Sequence, residues 1–256
     1  MGAENKIKER VSDAVAKSYY KPWYKRVYGR ILLSILALIV LLSIYFVIRV
    51  AIGYYHAQKG EVYNSELDIW LTEEQYIENQ KIASNIITDD DPWLGSENPI
   101  INVVIYESFA CPFCKDDQET LKRVLEKFGP VLRFTVRDYP TEGLHPGVFD
   151  AHLAAGCANE QDAYWPYHDI LFANQGDFSK KNLKLLAKTL GVDITQFDKC
   201  LDDEIYRFEV RQDYASGIES GVEGTPTYIV NGNLLPGSMS YEMWEEIIGF
   251  ILKGEL

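Results

Sequence analysis

Histidine and methionine are scarce in this 256-residue chain, at four and three, and cysteine occurs only at 111, 114, 157 and 200. Neither Cys157 nor Cys200 has a Cys or His neighbour at knuckle spacing, so the pair at 111 and 114 lacks the two further ligands that a zinc site needs. No repeat and no low-complexity tract occurs, which excludes a repeat array. Basic residues thin out after position 50: nine of the 25 Lys and Arg precede it, leaving 16 basic against 35 acidic and a net charge of −19 beyond. That balance argues against nucleic acid as a partner; it keeps the domain soluble without identifying a substrate.

Long apolar runs are also missing, apart from Ile31 to Ile48, ILLSILALIVLLSIYFVI. Its 18 residues carry no charge and, with Arg49 to Tyr54 added, cover the ~30 Å hydrocarbon layer at ~1.5 Å per residue. A cleavable leader has a shorter apolar core and small residues at its end, and no such site follows Ile48. An uncleaved anchor over 31–54 is therefore expected. Eight basic residues, Lys6 through Arg30, lie ahead of the run, so the positive-inside rule keeps segment 1–30 cytoplasmic and places everything after Tyr54 outside the membrane. Tyr19, Tyr20, Trp23, Tyr24 and Tyr28 stand where an interfacial aromatic belt would be. All four cysteines fall in the exported part, where an even count permits two disulfides.

Residues 55–98 are polar, with a helix-like piece near Thr72 to Ile87 and the breaker-rich DDDPWLGSENP, and read as a spacer. Ile100 to Tyr106 is a nearly continuous β-branched run, the mark of a strand buried on both faces. A helix follows, with Leu121, Val124, Leu125 and Phe128 on one face until Gly129-Pro130, and then a second strand, Val131 to Val136. Strand, helix, strand is a βαβ unit with parallel strands. Helical patterns fill about 146–217 as an insertion; strand Thr227 to Val230, the Asn231-Gly232 turn, a partner strand at Leu234-Leu235 and a terminal helix Tyr241 to Leu252 complete the chain.

The sharpest signal is Cys111-Pro112-Phe113-Cys114 just after a buried strand, at a helix start. Free amides and the macrodipole of a helix N-terminus stabilise an anion, so Cys111 is the expected thiolate nucleophile. Two intervening residues let Cys114 reach back within one turn and resolve a mixed disulfide. A static disulfide is the alternative use of the same spacing. Gly224-Thr225-Pro226-Thr227 precedes a strand; alone it reads as a strand-initiating turn, but with a Cys-x-x-Cys about 110 residues upstream it resembles the cis-proline loop of the thioredoxin superfamily.

Taken in order, DDPWLGSENP, YESFACPFC, GLHP, CANEQ, YHDILFANQ, LGVD, FDKCL and GVEGTPTYIVNG resemble the DsbA-like thiol-disulfide oxidoreductase family of the thioredoxin superfamily, over roughly 89–256. The resemblance implies an α/β thioredoxin fold over 99–256 with an inserted helical subdomain, here preceded by one transmembrane helix. It also implies dithiol–disulfide exchange on exported proteins that carry cysteines, recycling by a membrane redox partner, and no bound cofactor or metal. Its residue assignments are Cys111 as nucleophile, Cys114 as resolving cysteine, Pro226 as the cis-proline, and Thr225 offering backbone groups to an extended peptide. Two departures stand out. Phe113 replaces the histidine of strongly oxidising members, and Ile105 stands where thioredoxin has a buried acid, six residues before the nucleophile. Glu107, four residues before Cys111, is the nearest preceding acid and a candidate proton acceptor, the alternative being a polar strand-end residue.

Cys157 and Cys200, 43 positions apart, are expected to form a structural disulfide, with two buried free thiols as the alternative. His145, His152 and His168 show no ligand spacing and read as hydrogen-bonded or surface residues. Tyr164, Trp165, Tyr167 and Phe172 read as packing within the insertion. Phe109 and Phe113 flank the nucleophile as an apolar rim for unfolded substrate, or Phe109 packs beneath the loop. The function expected is oxidation of cysteine pairs in exported proteins from a single-pass position in a cell membrane. Reductase or isomerase roles at the same site are alternatives, as is an anchored peptide-binding module without catalysis. Segment 55–98 is too short and polar for the dimerisation module that isomerases add.

Overall fold

The computed structural model describes residues 5–10, 12–13, 27–64, 69–72 and 86–253. The chain divides into two compact units, Met1–Gly60 and Glu61–Leu256. In the first, helix α1 (Val27–Gln58) has a mean hydropathy of 3.1 in its most apolar stretch and exposes its apolar side chains, as a helix facing lipid does. Its 32 residues reach about 48 Å, enough to cross a membrane. The aromatic cluster at 19–24 lies outside the described residues.

The second unit opens with the antiparallel pair β1 (Glu61–Asn64) and β2 (Ile69–Thr72). A helix was expected to begin near Thr72; that residue instead ends β2, and 73–85 lie outside the described residues.

A five-stranded mixed sheet follows, in the order β3-β5-β4-β6-β7. Its strands are β3 (Trp93–Gly95), β4 (Ile101–Glu107), β5 (Leu132–Asp138), β6 (Thr227–Val230) and β7 (Asn233–Pro236). Strands β4 and β5 run parallel, joined through helix α2 (Pro112–Phe128), as the βαβ pattern requires. Strand β6 lies antiparallel to β4 and turns through Asn231-Gly232, both with positive φ (46° and 86°), into β7.

β4 is buried at every position because both its faces are covered. Ile101, Val103 and Ile105 face a core shared with α2, the insertion and the terminal helix α8 (Tyr241–Lys253). In that core Trp244 meets Phe134 and Tyr228 edge-on, at ring-centroid distances of 5.7 and 5.0 Å. Val104 and Tyr106 face the other way, toward Tyr139, Val222 and Tyr214.

The insertion comprises α3 (Val148–Asn159), α4 (Tyr164–Ala173), α5 (Lys180–Lys188), α6 (Ile194–Asp202) and α7 (Arg207–Glu219). Gly217 lets α7 lie close on the sheet: a Cβ there would stand 2.8 Å from Tyr139 and 3.0 Å from Tyr106. On this face Arg137 of β5 donates through Nε to Asp213 of α7 at 2.9 Å and lies 3.4 Å from Asp91, all three buried.

A disulfide joins Cys157 on α3 to Cys200 on α6, with Cα atoms 5.8 Å apart. It closes a loop across 43 positions, so replacing both cysteines with alanine is expected to cost about 3 to 4 kcal/mol in urea unfolding of the full chain. A loss under about 1 kcal/mol would show that helix packing alone holds α3 to α6.

Candidate active site

Strand β4 delivers the chain to residues 108–111, where it turns into α2. Cys111 is the N-cap of α2, in extended conformation (φ −74°, ψ 120°), and Pro112 fills the first turn, where its missing N–H is no loss. No side chain caps the helix. The amides of Phe113 and Cys114 are therefore left for the Cys111 sulfur. A hydrogen bond from the Cys114 thiol is the largest influence on Cys111; with the Thr225 hydroxyl and those amides it outweighs burial and brings the Cys111 thiol down to about 6. Cys114, 1% exposed, is pushed far in the opposite direction by burial, by its hydrogen bond to Cys111 and by the charge of Glu107. One sulfur is thus prepared as a thiolate while its partner is held neutral.

Thr225 lies 114 positions away in sequence, yet its carbonyl oxygen accepts from Cys111 Sγ at 3.1 Å. The Thr225–Pro226 peptide is cis. Beyond it, Gly221, Glu223, Leu234 and Gly237 border an open cleft. Phe113 is 63% exposed beside the sulfur, whereas Phe109 is fully buried among His152, His168 and Phe172. Of the two aromatics flanking Cys111, Phe113 alone stands at the surface.

The candidate acid Glu107 is the last residue of β4 and points into the molecule rather than out from a strand end, at 2% exposure. Its Oε1 lies 2.8 Å from His168 Nε2. Burial pulls the His168 imidazole down, but Glu107 and Asp169 beside it together more than compensate and leave it at about 9. His152, also buried, holds Asp138 through Nδ1 at 2.5 Å, and His145 is half-buried in the segment ahead of α3. Among the described residues no group of three His, Cys, Asp or Glu side chains is placed to hold a metal.

Two further side chains fasten the loop. Gln175, just past α4, donates through Nε2 to the carbonyls of Phe109 and Cys111 at 2.8 and 2.9 Å. Ser108 Oγ pairs with Thr141 Oγ1 at 3.1 Å. A lone glutamine 64 positions downstream has no spacing signature, and sequence reasoning passed over it.

Known proteins share this architecture. A thioredoxin-like oxidoreductase from Silicibacter pomeroyi DSS-3 superposes with a TM-score of 0.60 at 23% identity, covering 67% of this chain and 97% of its own. BdbD from Bacillus subtilis, in its oxidised form, gives 0.59 at 24% identity, with 64% and 94% covered. The thiol-disulfide exchange protein alpha-DsbA2 from Wolbachia pipientis gives 0.59 at 20%, with 70% and 98% covered. These likenesses show a DsbA-like thioredoxin fold. Among curated sequences, the Na(+)/H(+) antiporter NhaA 1 of Salinispora arenicola is 32% identical over 154 residues, 60% of this chain. The match spans about a quarter of that protein's length, 24%. The thioredoxin family profile matches residues 87–249, more than half of the chain, and the protein belongs to that family.

Proposed function

We propose that this protein is a membrane-anchored thiol–disulfide oxidoreductase that oxidises cysteine pairs in exported proteins. The observation that carries the reading is the asymmetry of the two sulfurs, Cys111 lowered to about 6 at the N-terminus of α2 and Cys114 buried and kept protonated behind it. A low thiol pKa stabilises the reduced pair and so makes its disulfide a better oxidant, and here amides and Cys114 supply what a histidine at position 113 would.

In the oxidising direction a substrate thiolate attacks Cys111 Sγ of the Cys111–Cys114 disulfide. The S–S bond breaks, a mixed disulfide forms, and Cys114 leaves and takes a proton, with Glu107 as the group that exchanges it. A second substrate thiolate then attacks the substrate sulfur of the mixed disulfide. The product disulfide forms, and Cys111 departs as a thiolate that is stable near neutral pH. Thr225 lends its backbone to the extended substrate beside Pro226, which keeps the attacking sulfur near Cys111. The two electrons gained pass to a membrane redox partner.

Helix α1 suits a single-pass anchor, and the basic residues ahead of it favour a cytoplasmic N-terminus. The recurrence of this segment in chains named as Na(+)/H(+) antiporters supports work at a membrane surface. Equilibration of the full chain with glutathione buffers tests the reading. A potential at or above about −180 mV supports the oxidase, one near about −270 mV turns the direction to reduction, and failure to cycle removes the enzyme.

A further inference from the structure

We infer that His168 is a positioning residue for the exchange reaction, pairing with Glu107 and releasing a proton toward the surface as Glu107 takes one, so that Glu107 serves the Cys114 sulfur. The inference rests on the exchange reading above. It is built on a buried ion pair directly behind the redox helix. Glu107 and His168 have side chains 2% exposed and meet at 2.8 Å. Gln118 of α2 donates through Nε2 to Glu107 Oε2 at 3.4 Å and to the Cys114 carbonyl at 3.1 Å, tying the carboxylate to the turn that carries Cys114.

The other end of the pair leads outward. His168 Nδ1 lies 3.4 Å from Asp169 Oδ1, and Asp169 Oδ2 accepts from Lys122 Nζ at 3.0 Å, both partners being half exposed or more. A cleft beside α2 and α4 is bordered by Glu107, Gln118, Lys122, Trp165, His168 and Asp169, together with apolar side chains of the sheet and α2, so both members of the pair stand at its wall. The charged and titratable groups around His168 are Glu107 from β4, Asp169 and Tyr164 from its own helix, and Lys122 from α2, with Cys114 beyond Glu107. α3 presents His152 only across the Phe109 ring.

A buried carboxylate without a cation would take up a proton and cease to be a base. The imidazole of His168, 2.8 Å away, supplies that cation. When Cys114 attacks a mixed disulfide, its thiol proton passes to Glu107, the new Cys111–Cys114 bond forms and the substrate thiolate leaves; the His168 imidazolium, whose Nε2–H already faces Glu107, sheds its Nδ1 proton toward the cleft in the same step. In the oxidising direction the same proton returns to the departing Cys114.

The test uses the full chain in detergent, with Cys111 and Cys114 reduced and Cys157–Cys200 intact, mixed with dithiobis-nitrobenzoate. Attack by Cys111 releases a first nitrothiobenzoate, and attack by Cys114 on the resulting mixed disulfide releases the second. His168→Gln is expected to slow the second release about tenfold or more near pH 6, with the gap closing above about pH 9 and the first release unchanged. His168→Lys, which keeps the charge, is expected to restore most of the rate. An unchanged second release in His168→Gln, or equal slowing in both variants, overturns the role of His168. The wild-type profile needs no variant. A second release nearly flat between about pH 6 and about pH 8 supports the pair, whereas a rise of about tenfold per pH unit, the sign of direct hydroxide attack on the Cys114 thiol, overturns it. No second release from the wild type at all would overturn the exchange reading as well.

Discussion

Replacing Cys111 with serine will lower catalysed thiol–disulfide exchange by about a thousandfold or more, to the rate of free thiols. The hydroxyl cannot ionise near neutral pH, and it cannot form the disulfide through which electrons enter. Alkylation of wild-type Cys111 should rise with a midpoint close to its value of about 6, and that rise will vanish in the variant. Cys114→Ser should behave differently. The outer sulfur remains, attack still occurs, and the reaction halts as covalent adducts visible on a non-reducing gel. A chain that uses the cleft beside Thr225 only to hold peptides would keep its function in Cys111→Ser. Retained exchange in that variant would rule out the proposed nucleophile.

The second large effect is structural. Arg137→Met preserves the aliphatic stem but strands Asp91 and Asp213, which are 4% and 3% exposed. Removing one member of a buried charge network costs about 3 to 5 kcal/mol, and that loss is expected near pH 8 in urea unfolding followed by tryptophan fluorescence. It should shrink toward zero near pH 5. Burial, only partly opposed by Arg137, lifts Asp91 to about 6; burial and the charge of Asp138 lift Asp213 to about 7. Both exceed the ~4 of an unfolded aspartate, so the native state binds more protons across that interval. Their contribution is complete below about pH 4 and is lost as pH rises through 6 and 7, where the ionised pair comes to depend on the guanidinium. A deficit independent of pH would mean that Arg137 acts by packing alone.

What the sequence made legible follows from how local each signal is. The run Ile100 to Tyr106 is apolar at nearly every step because two layers cover β4, and the observed strand, Ile101–Glu107, is offset from it by one residue. Asn231-Gly232 pinned the β6–β7 turn because few other pairs tolerate two positive φ angles in succession. Trp93–Gly95 escaped because three residues beside Pro92 show no alternation, and its partner β5 lies about 40 positions on. Glu107 was visible as an acid, but its partner was not. His168 stands 61 positions away on another element, and no spacing rule connects a strand end to a helix in the insertion. Gln175 and the Arg137 network belong to the same class, contacts made only once the chain has closed. Phe109 shows the converse limit, for its neighbourhood allowed either an exposed rim or packing beneath the loop, and only the closed fold selects the second.

The margins of the sheet bear on the company this protein would keep. β3 has three residues and β7 four, and β7 ends at Pro236, which offers no N–H to a newcomer. An extended client beside Thr225 therefore finds one short stretch of backbone to pair with and no long rail along which to keep zipping. Unfolded polypeptides are the material from which cross-β aggregates grow. Under the proposed function, a catalyst meeting them one after another would be guarded by that brevity against becoming the seed of such a deposit.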